Sequence, residues 1–278
     1  MNNQTKELHE LINDIYPYVD GILCQERLNA KDSKFRKISD LLKDGADVNV
    51  KDKDSQSLLC LASYYDQLPL FRYLVENGAD IEYADKYGMT PIMHAAEDFY
   101  YYAVKILLEH GADPHKCDND GKTPLMFISN APDDFYAYAF YYDNFRELFQ
   151  LFFSKGVDVN AKNKDGETAL HYACRYLGRT IEITELLIKN GADVNALNNN
   201  GESALMYLCC GLYCHKRKEL VQLLIDSGAD VSVIDNDGDT ALSLINELNS
   251  EYEEDELEQY EQINNEIAEL LRQHGASK

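Results

Sequence analysis

The chain has 278 residues, 45% of them hydrophobic, enough to bury a substantial core. Its formal charge of -23 repels DNA, RNA and anionic membranes, which argues against a direct nucleic-acid or membrane binder. No apolar run is long enough to cross a bilayer, the start Met1-Asn2-Asn3-Gln4-Thr5 lacks secretory-signal features, and seven scattered cysteines read as reduced thiols. A cytoplasmic protein is therefore expected, with delivery into a host cell left open.

Residues 1–47 are predicted to form an atypical capping unit, with a helix near 5–15 and its partner near 35–43. From Gly45 onward a fixed register takes over. A glycine closing a leucine-rich stretch is followed twelve residues later by Thr or Ser, six times: Gly45/Ser57, Gly78/Thr90, Gly111/Thr123, Gly156/Thr168, Gly191/Ser203 and Gly228/Thr240. A constant offset inside units of varying length makes each unit one supersecondary element stacked on its neighbours. Such a stack presents an extended surface, not a closed pocket, which favours binding over catalysis.

Over residues 78–111, Thr90 is placed to cap a helix by accepting an orphan backbone N–H, and Pro91 follows where no donor is lost. Thr123-Pro124 repeats the device, while Thr168-Ala169, Ser203-Ala204 and Thr240-Ala241 keep the cap residue without the proline. Val104, Leu107 and Leu108 mark a second helix with one buried face, which Gly111 ends. Asp118-Asn119-Asp120-Gly121 then supplies the chemistry of a tight, exposed turn.

These residues resemble the ankyrin repeat, with its Gly-x-Thr-Pro-Leu-His-x-Ala helix, its second helix ending Leu-Leu-x-x-Gly-Ala-Asp and its protruding turn, in register over 36–275. The resemblance implies an all-α fold, an α-solenoid of stacked helix-turn-helix units with protruding β-turn loops. Six repeats are placed at 48–80, 81–113, 114–158, 159–193, 194–230 and 231–275, forming with the capping unit a single continuous solenoid. Ser55 replaces the turn glycine of the first repeat. Only His171 occupies the family's helix histidine; Cys60, Met93, Phe127, Met206 and Ser243 are read in its place, so the tie that histidine gives to neighbouring loops is expected to be weaker.

Because the glycine-to-threonine offset never changes, the longer repeats carry their extra residues at the turn joining the paired helices. That edge is rich in aromatics: Tyr64, Tyr65, Phe99, Tyr100, Tyr101, Tyr102, Phe135, Tyr136, Tyr138, Phe140, Tyr141, Tyr142, Tyr176 and Tyr213. Tyrosine joins a large apolar area to a polar tip at low rotamer entropy, which suits an interface anchor. Tyr64, Tyr65, Phe99, Tyr100, Tyr101, Tyr136, Tyr138, Tyr141, Tyr142 and Tyr176 are accordingly candidate contacts; the alternative is that such rings cover the flanks of long helices. The resemblance adds the concave face, lined by turn tips (Lys86, Tyr87, Met89; Asn119, Lys122; Lys164, Glu167) and the exposed side of each first helix.

Charge is zoned. Arg175 and Arg179 share offsets with His215-Lys216-Arg217-Lys218, predicting a local basic patch. The last repeat carries seven acids from Glu251 to Glu261, beside a helical stripe of Leu257, Tyr260, Ile263, Ile267 and Leu270. Catalytic and metal chemistry find little support. Cys209, Cys210, Cys214 and His215 lack a second ligand pair. His94, near Glu97 and Asp98, has no nucleophile converging on it. No cofactor or metal is expected.

The function read from these features is a non-catalytic protein-binding scaffold, a monomer that holds a protein partner through its concave face and aromatic insertions. The alternative is an acidic inhibitor or immunity-type protein that neutralises a basic enzyme such as a nuclease toxin, with binding that weakens steeply as salt rises.

Overall fold

The computed structural model describes residues 2–13, 25–53, 55–64, 67–130, 144–175, 180–210, 216–248 and 257–276. Among them are fourteen α-helices and no β-strand, only the isolated bridges Lys51 to Ser57 and Leu197 to Ser203. The chain divides into two compact units, Met1–Asn119 and Asp120–Lys278.

Unit 1 holds α1 (Asn3–Asn13), α2 (Gln25–Lys43), α3 (Leu58–Tyr64), α4 (Leu68–Glu76), α5 (Pro91–Glu97) and α6 (Tyr101–Glu109). Successive helices pair as hairpins, α1 with α2, α3 with α4 and α5 with α6; α3 then packs on α5, and α4 on α6. Both helices of the capping unit begin earlier than the apolar pattern predicts. Asn2 Oδ1 accepts from Thr5 N at 2.7 Å and starts α1 at Asn3, and the helix-favouring run Gln25-Glu26-Arg27-Leu28 extends α2 upstream.

Unit 2 holds α7 (Pro124–Ser129), α8 (Phe145–Ser154), α9 (Ala169–Arg175), α10 (Thr180–Lys189), α11 (Ala204–Cys210), α12 (Arg217–Asp226), α13 (Ala241–Leu248) and α14 (Leu257–Gln273). The first helices α7, α9, α11 and α13 pack in one row and the second helices α10, α12 and α14 in another. Helices of six or seven residues are too short to persist alone, so burial holds them. In α9 every residue from Ala169 to Cys174 is buried, because α7 and α11 cover it from both sides.

Cap chemistry follows the register at Ser57, Thr123, Ser203 and Thr240, but not at Thr90 or at Thr168, whose hydroxyl meets His171 Nδ1 at 2.9 Å. Ser57 Oγ accepts from Cys60 N, Thr123 Oγ1 from Met126 N and Thr240 Oγ1 from Ser243 N, at 3.1–3.4 Å. The cap expected at Thr90 does not form: Met93 N donates instead to the Thr90 carbonyl at 3.0 Å, and the Thr90 hydroxyl is buried without a hydrogen bond. The position of the family histidine in the third repeat belongs to Met126, not to Phe127, since Met126 Sδ accepts from Thr123 N at 3.4 Å. Ser55, standing where other turns have glycine, adopts the same left-handed φ of 64°.

Asparagines that follow the Gly-x-Asp-Val motif bind one repeat to the next at three places. Asn160 Nδ2 donates to Gly191 O at 3.0 Å while its Oδ1 accepts from Asp193 N at 2.8 Å, and Asn195 repeats both bonds on Gly228 O and Asp230 N. In unit 1, Asn49 does the same to Gly78 O and Asp80 N.

Candidate partner-binding surface

The turn tips of the second, fourth, fifth and sixth repeats are each folded by one short side chain. Asp85 Oδ1 accepts from Tyr87 N and Met89 N, Asn163 Oδ1 from Asp165 N and Glu167 N, Asn198 Oδ1 from Asn200 N and Glu202 N, and Asp235 Oδ1 from Asp237 N and Asp239 N, all at 2.8–3.0 Å. The next turn then docks on the tip. Asn119 N donates to Tyr87 O at 2.9 Å and its Nδ2 to Lys86 O at 3.1 Å. In unit 2, Asn199 binds Asp165 O and Lys164 O, and Asn236 binds Asn200 O and Asn199 O, in the same way.

The remaining atom of the turn residue reaches the side chain nine positions on, on the following helix. Asp85 Oδ2 lies 3.0 Å from His94 Nε2, Asn163 Nδ2 donates to Tyr172 OH at 3.0 Å, and Asn198 Nδ2 donates to Tyr207 OH at 3.1 Å. Donor and acceptor are matched in each case: an acid faces an imidazole, and an amide faces a phenol. In the first, third and sixth repeats the corresponding residues are Leu61, Phe127 and Leu244, which offer no partner.

Burial pushes Asp85 up, but hydrogen bonds from His94, Tyr87 and Met89 outweigh it and hold its carboxyl below the usual 3.8. A depressed carboxyl stabilises the fold above its unfolded value and loses that contribution as pH falls through the folded value. Asp85→Asn is therefore expected to cost about 1–2 kcal/mol near neutrality. Its stability should also fall less than wild type's below about pH 4, in urea unfolding followed by circular dichroism across that range.

The most connected cluster lies in unit 2. Glu167, 3% exposed, accepts from Asn163 Nδ2 at 2.9 Å, from Tyr207 OH at 2.6 Å and from the Arg175 guanidinium. Burial raises the Glu167 carboxyl, but these bonds win and hold it below its usual 4.5. Arg175 sits 5.2 Å from the ring centres of both Tyr172 and Tyr207. His171 Nδ1 accepts from Thr168 N at 3.1 Å, which leaves Nε2 to donate to Glu202 O at 3.2 Å; burial lowers its pKa and keeps it neutral. Here the tie between a helix and the neighbouring loop is present.

Among the described residues the expected basic patch is not assembled. Arg175 is turned onto Glu167, Arg217 is buried and Lys218 pairs with Glu266 at 2.9 Å, while Arg179 and His215 lie outside the described residues. Burial pushes the Cys60, Cys174 and Cys209 thiols up to about 12, so they stay protonated. Cys214 also lies outside the described residues.

Of the anticipated contacts, Tyr87 is 58% exposed, with Lys86 Nζ 5.1 Å from its ring centre. Tyr102 is 54% exposed and meets the half-buried Tyr101 edge-on at 5.1 Å. Asn119 is exposed; Met89, Tyr100 and Lys122 are half-buried, with Lys122 3.8 Å from Asp120. Phe99 is a correction: a left-handed φ of 57° reverses the chain there, and its side chain is buried, out of a partner's reach. Beside it, burial and the charge of Glu97 push Asp98 up to about 8. Tyr65, Tyr136, Tyr138, Tyr141, Tyr142 and Tyr176, and the side chain of Tyr64, lie outside the described residues.

A family model described as "Ankyrin repeats (3 copies)" matches residues 29–118, 136–235 and 178–251. Among solved structures, the ankyrin repeat domain of Bcl-3, titled a unique member of the IkappaB protein family, is similar with a TM-score of 0.60 and 23% identity, covering 88% of this chain and 96% of that one. The fold is thus that of an ankyrin-repeat α-solenoid. The "Stress-activated protein kinase alpha" of Dictyostelium discoideum is 52% identical over 44 residues, 16% of this chain and 7% of that protein.

Proposed function

The chain belongs to the ankyrin-repeat family, whose repeats are protein-interaction modules, and from that premise we propose that it is a non-catalytic scaffold that holds a protein partner with Tyr87 as an anchor. The observation that carries this reading is a large aromatic ring left open on a rigid turn. Asp85 folds the tip from within, and Asn119 binds the carbonyls of both Lys86 and Tyr87 from the next turn. Binding there orders little backbone, and a tyrosine ring delivers apolar area with few rotamers to freeze. Tyr102 on α6 offers a second exposed ring for the same purpose.

Affinity capture with the wild-type chain, followed by titration of the purified partner, tests this. Tyr87→Ala is expected to weaken binding by about 2 kcal/mol, roughly thirtyfold, with little dependence on salt. Unchanged affinity in both Tyr87→Ala and Tyr102→Ala would remove the reading. An affinity that instead collapses between low and high salt would favour the neutralisation of a basic enzyme by the acidic surface.

A further inference from the structure

Two aliphatic side chains of unit 2 stand in water without a packing reason. Ile234 is 63% exposed and Leu197 37%. They occupy the same place on successive turns, one before the residue that folds each tip, where the other repeats have Lys51, Ala84, Cys117 and Lys162. Hydrogen-bonded rungs bracket them. Asn195 clamps Gly228 O and Asp230 N on one side, and Asn236 binds Asn200 O and Asn199 O on the other. The two side chains are therefore held in a fixed row on a rigid framework. Lys162, the preceding member of the row, caps its far end by donating to Leu197 O at 2.8 Å.

The setting of this row is acidic. Asp237 is exposed, and Glu202, Asp235 and Asp239 are half-buried around the same two turns. No lysine or arginine occurs between Lys189 and Lys216, and none between Lys218 and Arg272, where the sequence holds sixteen acids. Of the nearby cations in sequence, Arg217 is buried and Lys218 is paired with Glu266, while Lys189 is exposed at the end of α10. An apolar pair with carboxylates around its Ile234 turn, and with Lys162 held on the Leu197 carbonyl at the far end, complements a segment that alternates aliphatic and basic side chains.

We propose that the turns around Leu197 and Ile234 dock a basic, aliphatic peptide segment of a protein partner, the aliphatic side chains seating on this pair and the cations facing Glu202, Asp235, Asp237 and Asp239. The proposal rests on the scaffold reading and gives that scaffold a second contact, in unit 2, with a partner chemistry of its own.

The test is fluorescence anisotropy of the full chain with a short labelled peptide of alternating lysine and leucine, against lysine–serine and glutamate–leucine peptides of equal length. The lysine–leucine peptide should bind at least tenfold more tightly than either control. Ile234→Ser combined with Leu197→Ser should weaken it about tenfold, and Ile234→Lys at least as much. Asp237→Asn should weaken it and flatten its salt dependence. Glu261→Gln with Glu269→Gln, on the exposed face of α14, should leave it unchanged. Circular dichroism melting of each variant confirms that the fold survives, as expected for exposed positions.

Equal binding of the lysine–serine peptide, indifference to Ile234→Lys, or an equal loss from the α14 pair would each reduce the effect to bulk charge and overturn the proposal. Tyr87→Ala should leave this peptide's affinity unchanged, so failure at Ile234 and failure at Tyr87 are read separately.

Discussion

Gly166→Ala is expected to destabilise unit 2 by about 3 kcal/mol, whereas Gly156→Ala, at a nearly equal backbone angle, should cost about 1 kcal/mol. Both residues have a left-handed φ, 77° and 72°, so both pay the same steric strain when a Cβ is added. They differ in what that carbon would meet. At Gly156 nothing lies within 4 Å, but at Gly166 it would fall 2.5 Å from Asn199 Oδ1 and 2.8 Å from Asn199 N. A backbone nitrogen cannot swing aside like a side-chain tip. To make room, the following turn must withdraw, and with it go the bonds from Asn199 to Asp165 O and Lys164 O, both 2.8 Å. The chain has no tryptophan, so urea unfolding followed by far-ultraviolet circular dichroism is the suitable readout. Equal midpoint shifts for the two variants would mean that the docked turn carries no tension and that only the dihedral matters.

Removing the Glu167 side chain should be comparably damaging. Glu167→Ala deprives Asn163, Tyr207 and Arg175 of a common acceptor, which water cannot readily replace at the buried Asn163 amide. A loss of about 3 kcal/mol is expected. Most of it belongs to the bonds from Asn163 and Tyr207, because the Arg175 side chain is 36% exposed and solvent screens its charge. Tyr207 remains a donor throughout, its phenol pushed up to about 12 by burial and by its bond to Glu167. Since the Glu167 carboxyl is held below 4.5, its contribution is complete above that pH and disappears as the pH falls through the lowered folded value. Wild type and Glu167→Ala should therefore converge in stability under acid. A constant gap between their unfolding midpoints from neutrality to strongly acidic pH would show that packing, not the ionised acceptor, explains the loss.

The repeat was legible because it is written in local chemistry. Glycine at a helix end, Thr or Ser before the next helix and the Asx-rich turn each act within a few residues, and their spacing survives in the linear order. The buried pairs across nine residues were not legible in the same way. His94 looked like a histidine without a task, since Asp85 signals only a turn until the fold shows that its second oxygen points at the helix. Arg175 was assigned to a basic patch on charge and shared offset, yet its guanidinium meets Glu167 and Tyr207. The aliphatic pair was available to a column-by-column comparison of the turns, where Leu197 and Ile234 replace Lys162 and its equivalents. It carried no meaning without knowing that this position faces solvent. Phe99 failed for a related reason, because one left-handed residue redirects a side chain that composition had placed on the surface.

The order of amino acids alone thus determined the helical hairpins, their turns and their family, since each depends on residues only a few positions apart. Tertiary packing decided which polar groups meet, which charges are consumed internally and which apolar side chains stay wet. Those outcomes depend on residues from eight to forty positions apart coming to lie side by side, and distance along the chain carries no record of the angle at which their side chains approach.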